Sequence, residues 1–184
     1  MPLPHPRSKT LPPEDALKGL IGEHAVMGLL NLISFSIQDA YVFHSVGISN
    51  ELDGETDHIV FYGNKLLIIE TKNYSNFTSI FINREGRAQG KKHGKIVDIS
   101  DNGLIKKTKF YQDRFPHLQV EAVIVVTQSG LKMGSEYSGY FIVGIEKAYT
   151  FFEAKLAAAC KLEEDNWPTV KYFANLCIRN EQYN

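Results

Sequence analysis

The sequence predicts an α/β protein: a central mixed β-sheet flanked by helices, with a long helix at the N-terminal side. Three observations carry that expectation. A run of helix formers from Pro13 to about Ser36 precedes a series of short segments rich in β-branched and aromatic residues. The segment Val120 to Thr127 is apolar on both faces, as an interior strand covered on both sides must be. The chain then closes with two further helical stretches, an order that suits helices packed around one sheet.

The chain has 184 residues, 43% of them hydrophobic, enough for a single compact domain that buries roughly 70% of its unfolded surface. This excludes a large disordered protein. Residues 1–12 hold four of the seven prolines and almost no periodicity, so they read as an extended arm, with one domain over 13–184. Pro13-Glu14-Asp15 starts the first helix, with Pro in the first turn and acids at the positive end of the dipole.

Strands follow at Tyr41 to Val46, His58 to Tyr62, Leu66 to Thr71 and Phe77 to Ile82, separated by Gly, Asn, Asp and Ser. Residues 83–100 are rich in Gly and Lys, with a weak strand signal at Lys95 to Ile99, and Gly86 to Lys95 reads as a flexible loop. A helix spans Asp101 to Phe115, capped by Asp or Asn and stopped by Pro116. Beyond the apolar strand at Val120, another strand is expected at Tyr140 to Ile145 and helices at Thr150 to Cys160 and Trp167 to Arg179.

Twenty Lys and Arg against twenty-one Asp and Glu leave a net charge of −1, so overall charge attracts neither nucleic acid nor an acidic membrane. Cys160 and Cys177 show no metal-knuckle spacing and read as buried thiols of a reducing compartment. No leader is apparent and no segment holds roughly 18 uninterrupted apolar residues, so a soluble cytoplasmic protein without membrane contact is expected. There is no Gly-Lys-Ser/Thr phosphate loop, no GxSxG elbow and no close histidine pair in sequence, which removes the common nucleotide-hydrolase, serine-hydrolase and zinc-peptidase signatures.

The chemistry concentrates in one hairpin. Gly63-Asn64 suits a two-residue turn, and with those two residues in the loop, opposed residues have numbers summing to 127. Asp57 then faces Glu70, and alternation puts Lys72 on the face of Glu70, at the end of an apolar surface of Ile59, Phe61, Leu66 and Ile68. Opposed carboxylates repel unless a cation separates them, either Lys72 or a divalent ion. Magnesium takes one or two carboxylates and completes its octahedron with water, and a neighbouring Lys can orient water or stabilise charge on a phosphoryl oxygen. The alternative is structural: Asp57 capping a strand, with Glu70 and Lys72 an exposed pair of small energetic consequence.

Glu23 adds a third acid, within the helical sector of Leu20, Val26, Met27 and Leu30 that reads as the core-facing side. Such a carboxylate is partnered by a cation, ligates a metal, or snorkels to water near Gly22. His58 points to the opposite face from Asp57 and reads as a packing residue.

Ile21-Gly22-Glu23, Tyr41 to Val46, Thr56-Asp57-His58-Ile59-Val60 and Leu67-Ile68-Ile69-Glu70-Thr71-Lys72-Asn73-Tyr74 together resemble the nuclease-related domain family, NERD. That family is placed in the PD-(D/E)xK superfamily, so the resemblance implies a restriction-endonuclease-like core and metal-dependent nuclease chemistry. It makes Glu23 the helix acid, Asp57 and Glu70 the metal carboxylates with Glu23 assisting, and Lys72 the catalytic lysine, with Mg2+ or alternatively Mn2+ as cofactor. The family's Gln at the start of the next helix is replaced by Asp101-Asn102-Gly103, where Asn102 is the expected substitute, and Thr56 stands where the superfamily often has Pro.

Residues 84–114 carry nine Lys and Arg against four acids, whereas the charged residues of 39–57 are all acidic. The asymmetry suits a DNA backbone on a basic rim of Lys91, Lys92, Lys95, Lys106 and Lys107, leading to an acidic metal site; the plain alternative is a solvated charged face. The function expected is hydrolysis of DNA phosphodiester bonds, the alternative a weakly active or inactive nucleic-acid- or protein-binding module of the same fold. Self-association through Phe151-Phe152, Trp167, Tyr172 and Phe173, giving a homodimer, competes with a core role for those residues.

Overall fold

The structure, a computed structural model, describes residues 13–47, 55–128, 130, 132–133, 139–160 and 167–181. The arm expected over 1–12 lies outside them. The elements are α1 (Pro13–Ser36), β1 (Tyr41–Gly47), β2 (Glu55–Tyr62), β3 (Lys65–Lys72), β4 (Phe77–Ile82), β5 (Ala88–Lys92), β6 (Lys95–Asp98), α2 (Asn102–Arg114), β7 (Gln119–Val126), β8 (Lys132–Met133), β9 (Phe141–Gly144), α3 (Ile145–Ala157) and α4 (Trp167–Glu181).

The central sheet has the order β1-β2-β3-β7-β9 and is mixed. β1, β2 and β3 form an antiparallel meander, whereas β3–β7 and β7–β9 are parallel. Parallel pairing requires a crossover, and α2 supplies the one between β3 and β7. Alternate residues of each strand serve opposite cores. On one face Val60, Leu67, Ile69, Val123 and Val125 pack with Val26, Leu30 and Ile33 of α1 and with Ala148, Phe152 and Leu156 of α3. On the other, Ile59, Phe61, Leu66, Ile68, Ile124 and Val126 meet Leu104 and Tyr111 of α2 and Val170 and Phe173 of α4. Ala122 to Val126 are all buried, as expected of a strand covered on both sides.

A second sheet, β6-β5-β4-β8, joins the one sheet that the sequence suggested. Its Ile80 and Ala88 enter the α2-side core. Gly86 to Lys95, expected to be a loop, contains β5 and the turn into β6. Pairing there needs no apolar alternation: Gly90 lies where a Cβ would run into the Phe77 ring, and His93 and Gly94 both take positive φ, giving the tight turn. The strand expected to reach Ile145 ends at Gly144, and α3 begins five residues before Thr150. Ala148, Phe152 and Leu156, spaced by four, form its buried stripe, a helical period that outweighs the β-branched Ile145.

One smaller expectation is corrected. Cys160 is exposed and Cys177 half-buried, and neither is in a disulfide. Over Leu17–Ser36, α1 is long and apolar enough on average to cross a membrane, by length and composition, although Lys18 and Glu23 interrupt the apolar run, as expected from the sequence. Phe152 and Phe173 are fully buried, so they serve the core rather than self-association; Trp167 is exposed.

Candidate active site

The β2–β3 hairpin is built as its sequence dictates. Gly63 takes φ +53°, and the turn is tied down when Asn64 N–H donates to the Cys160 carbonyl at 3.0 Å while Asn64 Oδ1 accepts from Cys160 N–H at 2.9 Å. The register runs Tyr62↔Lys65, Phe61↔Leu66, Val60↔Leu67, Ile59↔Ile68 and His58↔Ile69. Every pair sums to 127, which brings Asp57 level with Glu70 at the open end. Asp57 Oδ2 accepts the Thr71 N–H at 2.7 Å, so the acid is held by the backbone of the strand that carries its neighbour.

Glu70 is only 6% exposed, and two lysines converge on it. Lys72, next on the same face of β3, brings Nζ to 3.5 Å from Glu70 Oε2 and 3.3 Å from Asp101 Oδ2. Lys107, from the second turn of α2, pairs with Glu70 Oε1 and donates to the Glu55 carbonyl at 2.5 Å. Asp101 meanwhile caps α2, its Oδ1 accepting Leu104 N–H at 2.8 Å, and its own N–H donates to the Tyr140 hydroxyl at 3.0 Å. The helix start, the strand end and β9's leading tyrosine are thereby locked together around the two lysines.

The electrostatics are those of crowded acids. Burial first, and then the Glu70 carboxylate, push Asp57 up to about 7, against the opposing Thr71 N–H bond. Burial pulls the Lys72 ammonium down, but Glu70 and Asp101 outweigh it and the net shift is upward, so Lys72 is a cation at neutral pH. Glu23 is raised by burial and then by Glu55, eased by His24. It is exposed on α1, at the rim of a cavity of about 270 Å3 shared with Leu20, His24, Met27, His44, Ser45, Glu55, Asp57 and His58. Leu20 is 50% exposed, so the buried face of α1 runs through Val26, Leu30 and Ile33, and Glu23 flanks it instead of interrupting it.

His58 faces away from Glu70, as expected, and is 4% exposed. Its Nδ1 lies 2.8 Å from His44 Nδ1, whose Nε2 is 3.1 Å from Asn31 Oδ1. The two imidazoles and the Asn31 amide thus form one hydrogen-bonded chain, whose bond directions follow the histidine tautomers. Burial and then His44 depress His58 to about 3, keeping it neutral.

The structure thus brings Asp57, Glu70 and Lys72 together, sets Glu23 at their edge, and adds Asp101 and Lys107. Asn102, the expected substitute for the family's Gln, is exposed; its neighbour Asp101 makes the contact to Lys72. Lys107, expected on the basic rim, points inward. A signal for it exists in the sequence: it lies three residues after Leu104 and four before Tyr111, inside the apolar stripe of α2, where a lysine needs a partner. Lys91, Lys95 and Lys106 are exposed, and Lys92 Nζ sits 5.7 Å from the centre of the Phe77 ring. Among the described residues no three His, Cys, Asp or Glu side chains gather tightly enough to hold an ion alone. The donor set offered is the Asp57–Glu70 pair, which fits a hard cation that completes its shell with water.

A five-stranded mixed sheet, layered by helices and carrying an acid pair and Glu-x-Lys at the open end of its hairpin, defines an α/β protein with a restriction-endonuclease-like core. A family model described as nuclease-related domain, NERD, matches residues 18–127, from α1 to just past β7, and the chain belongs to that family. No curated protein and no solved structure matches it.

Proposed function

We propose that the chain is a metal-dependent nuclease acting on DNA. The observation that carries this reading is the pair of half-buried Asp57 and buried Glu70 flanked by cationic Lys72: Asp57 is raised to about 7, an expense of folding that a bound dication would relieve. Asp57 and Glu70 would hold Mg2+ or Mn2+, with Glu23 reaching it through water across the shared cavity. When bound, the ion would polarise the phosphodiester and lower the pKa of a coordinated water.

The chain's own groups would do the rest. Lys72 is held in place by Glu70 and Asp101 and stays protonated, so it orients the attacking water and stabilises charge on a non-bridging phosphoryl oxygen; it is not a base. Asp57, as a ligand to the ion, is held in place by the Thr71 N–H it accepts, so the proton that water loses when its oxygen bonds to phosphorus passes to bulk solvent, while the phosphorus–oxygen bond to the leaving strand breaks and the departing oxygen takes a proton from water. Lys91, Lys92, Lys95 and Lys106 would carry the flanking backbone. A cytoplasmic setting, which keeps Cys160 and Cys177 reduced, belongs to the same reading.

One observation favours a second reading. Lys107 already neutralises Glu70, as in a site where the acids serve structure and the module binds nucleic acid or protein without cleaving it. Supercoiled plasmid, linear duplex and single-stranded DNA, incubated with protein in Mg2+, Mn2+ or EDTA, separate the two. Cleavage should require the metal and fall about 100-fold or more in Asp57→Asn and in Lys72→Ala. Equal silence of folded wild type and variants would leave the binding module.

A further inference from the structure

We propose that two copies of this chain pair antiparallel through the outer face of α1, about a two-fold axis passing between Ala25 and Gly28. The helix is apolar on both sides. Val26, Leu30 and Ile33 face the sheet and are fully buried, but at 100° per residue Leu17, Ile21, Gly28, Leu32 and Phe35 form a stripe on the opposite side. The four larger side chains are 56%, 59%, 59% and 88% exposed. With Leu20 they leave on the order of 500 Å2 of apolar surface, in the upper part of the roughly 300–600 Å2 that the largest and often functional patch of a monomer spans, and two such faces together reach the about 1,000 Å2 at which a specific interface begins.

The pattern is complementary to itself. When opposed residues have numbers summing to 53, Ile21 meets the partner's Leu32, Ala25 meets the partner's Gly28, and Leu17 lies beside the partner's Phe35. Large side chains thus flank a crossing made of small ones, an isologous arrangement in which each contact occurs twice. A Cβ on Gly28 would meet nothing within 4 Å, so the space above it is open for a second helix. Between Lys18 and Asp39 the only Asp, Glu, Lys or Arg is Glu23, which lies on the sheet-side flank, so closure of the stripe desolvates no fixed charge. A bilayer also covers apolar helices, and α1 has the composition of a span. Among the described residues, however, the outer face offers only Lys18, engaged by Glu14 at 2.8 Å, and not the Lys- and Arg-rich polar face of a membrane-surface helix. The proposal rests on exposure and spacing alone and is independent of the catalytic reading.

The test is the mass of the full chain by sedimentation equilibrium and light scattering over micromolar concentrations. Twice 20.8 kDa is expected. Leu32→Glu and Gly28→Leu should each weaken self-association about tenfold or more. Gly28→Leu discriminates best, because it improves helix propensity and meets nothing within the monomer, so its thermal unfolding should match or exceed wild type while the close crossing is blocked. A bilayer-seeking face would instead gain from the added leucine. Monomeric wild type throughout, a dimer that survives Gly28→Leu, or vesicle flotation that Gly28→Leu strengthens would each overturn the proposal.

Discussion

Asp57 is held by the Thr71 N–H, yet burial and Glu70 work against its charge, so the folded protein binds its proton more tightly than the unfolded chain does. The sign of the pH dependence follows. A carboxyl raised from 3.8 to about 7 adds stability that is complete below about pH 4 and is lost as pH climbs through about 7. In EDTA, Asp57→Asn should therefore gain on wild type between acid and pH 8, by on the order of 2–4 kcal/mol, because Asn still accepts from Thr71 but carries no charge. Added Mg2+ should close that gap by stabilising wild type alone. Urea unfolding at several pH values reads it directly, and a difference flat with pH would show that Asp57 does not titrate there. Lys107 belongs to the same balance, since a Glu70 that is 6% exposed without a cation would be an uncompensated buried charge.

At the scale of elements, the site depends on a register, and the register depends on one turn. Gly63 combines φ +53° with a close approach to the Cys160 carbonyl, where any Cβ would collide. Gly63→Ala should cost on the order of 1–3 kcal/mol in chemical denaturation and lower any activity by loosening the Asp57–Glu70 alignment; an unchanged unfolding midpoint would show that the turn relaxes freely. This hairpin was legible because turn chemistry and alternation agree on a single pairing. The helix α1 and the strand β7 were legible from composition and length instead: helix formers run from Pro13 to Ser36, and Val120 to Thr127 is a short apolar run rich in β-branched residues. The β5–β6 hairpin was not: its strands read Ala88-Gln89-Gly90-Lys91-Lys92 and Lys95-Ile96-Val97-Asp98, and backbone pairing with β4 decides what side-chain pattern leaves open. Asp101 and Lys107 were missed as partners of Lys72 and Glu70: the apolar stripe of α2 marks Lys107 as needing a partner, but which partner it meets depends on the β3–β7 crossover setting α2 over the sheet end.

For the molecule as a whole, a net charge of −1 means that any polyanion must be held by an arrangement and not by a total. The fold supplies one: acids gather at the sheet end near Glu23, Glu55, Asp57 and Glu70, while the second sheet and the outer side of α2 expose Lys91, Lys95 and Lys106. If the proposed DNA reading holds, binding of a short duplex, measured by anisotropy in EDTA so that no cleavage occurs, should weaken steeply with salt. Four phosphate contacts, from Lys91, Lys92, Lys95 and Lys106, correspond to a log–log slope of about −3.6, and Lys91→Ala with Lys95→Ala should flatten it by about 2. Lys107 gives the contrast, because its ammonium is committed to Glu70 and the Glu55 carbonyl. Lys107→Ala should leave the salt slope unchanged while disturbing metal-dependent cleavage. A slope that falls equally for all three lysines would place Lys107 on the phosphate backbone, and a slope near zero for wild type would remove nucleic acid from the function of this basic face.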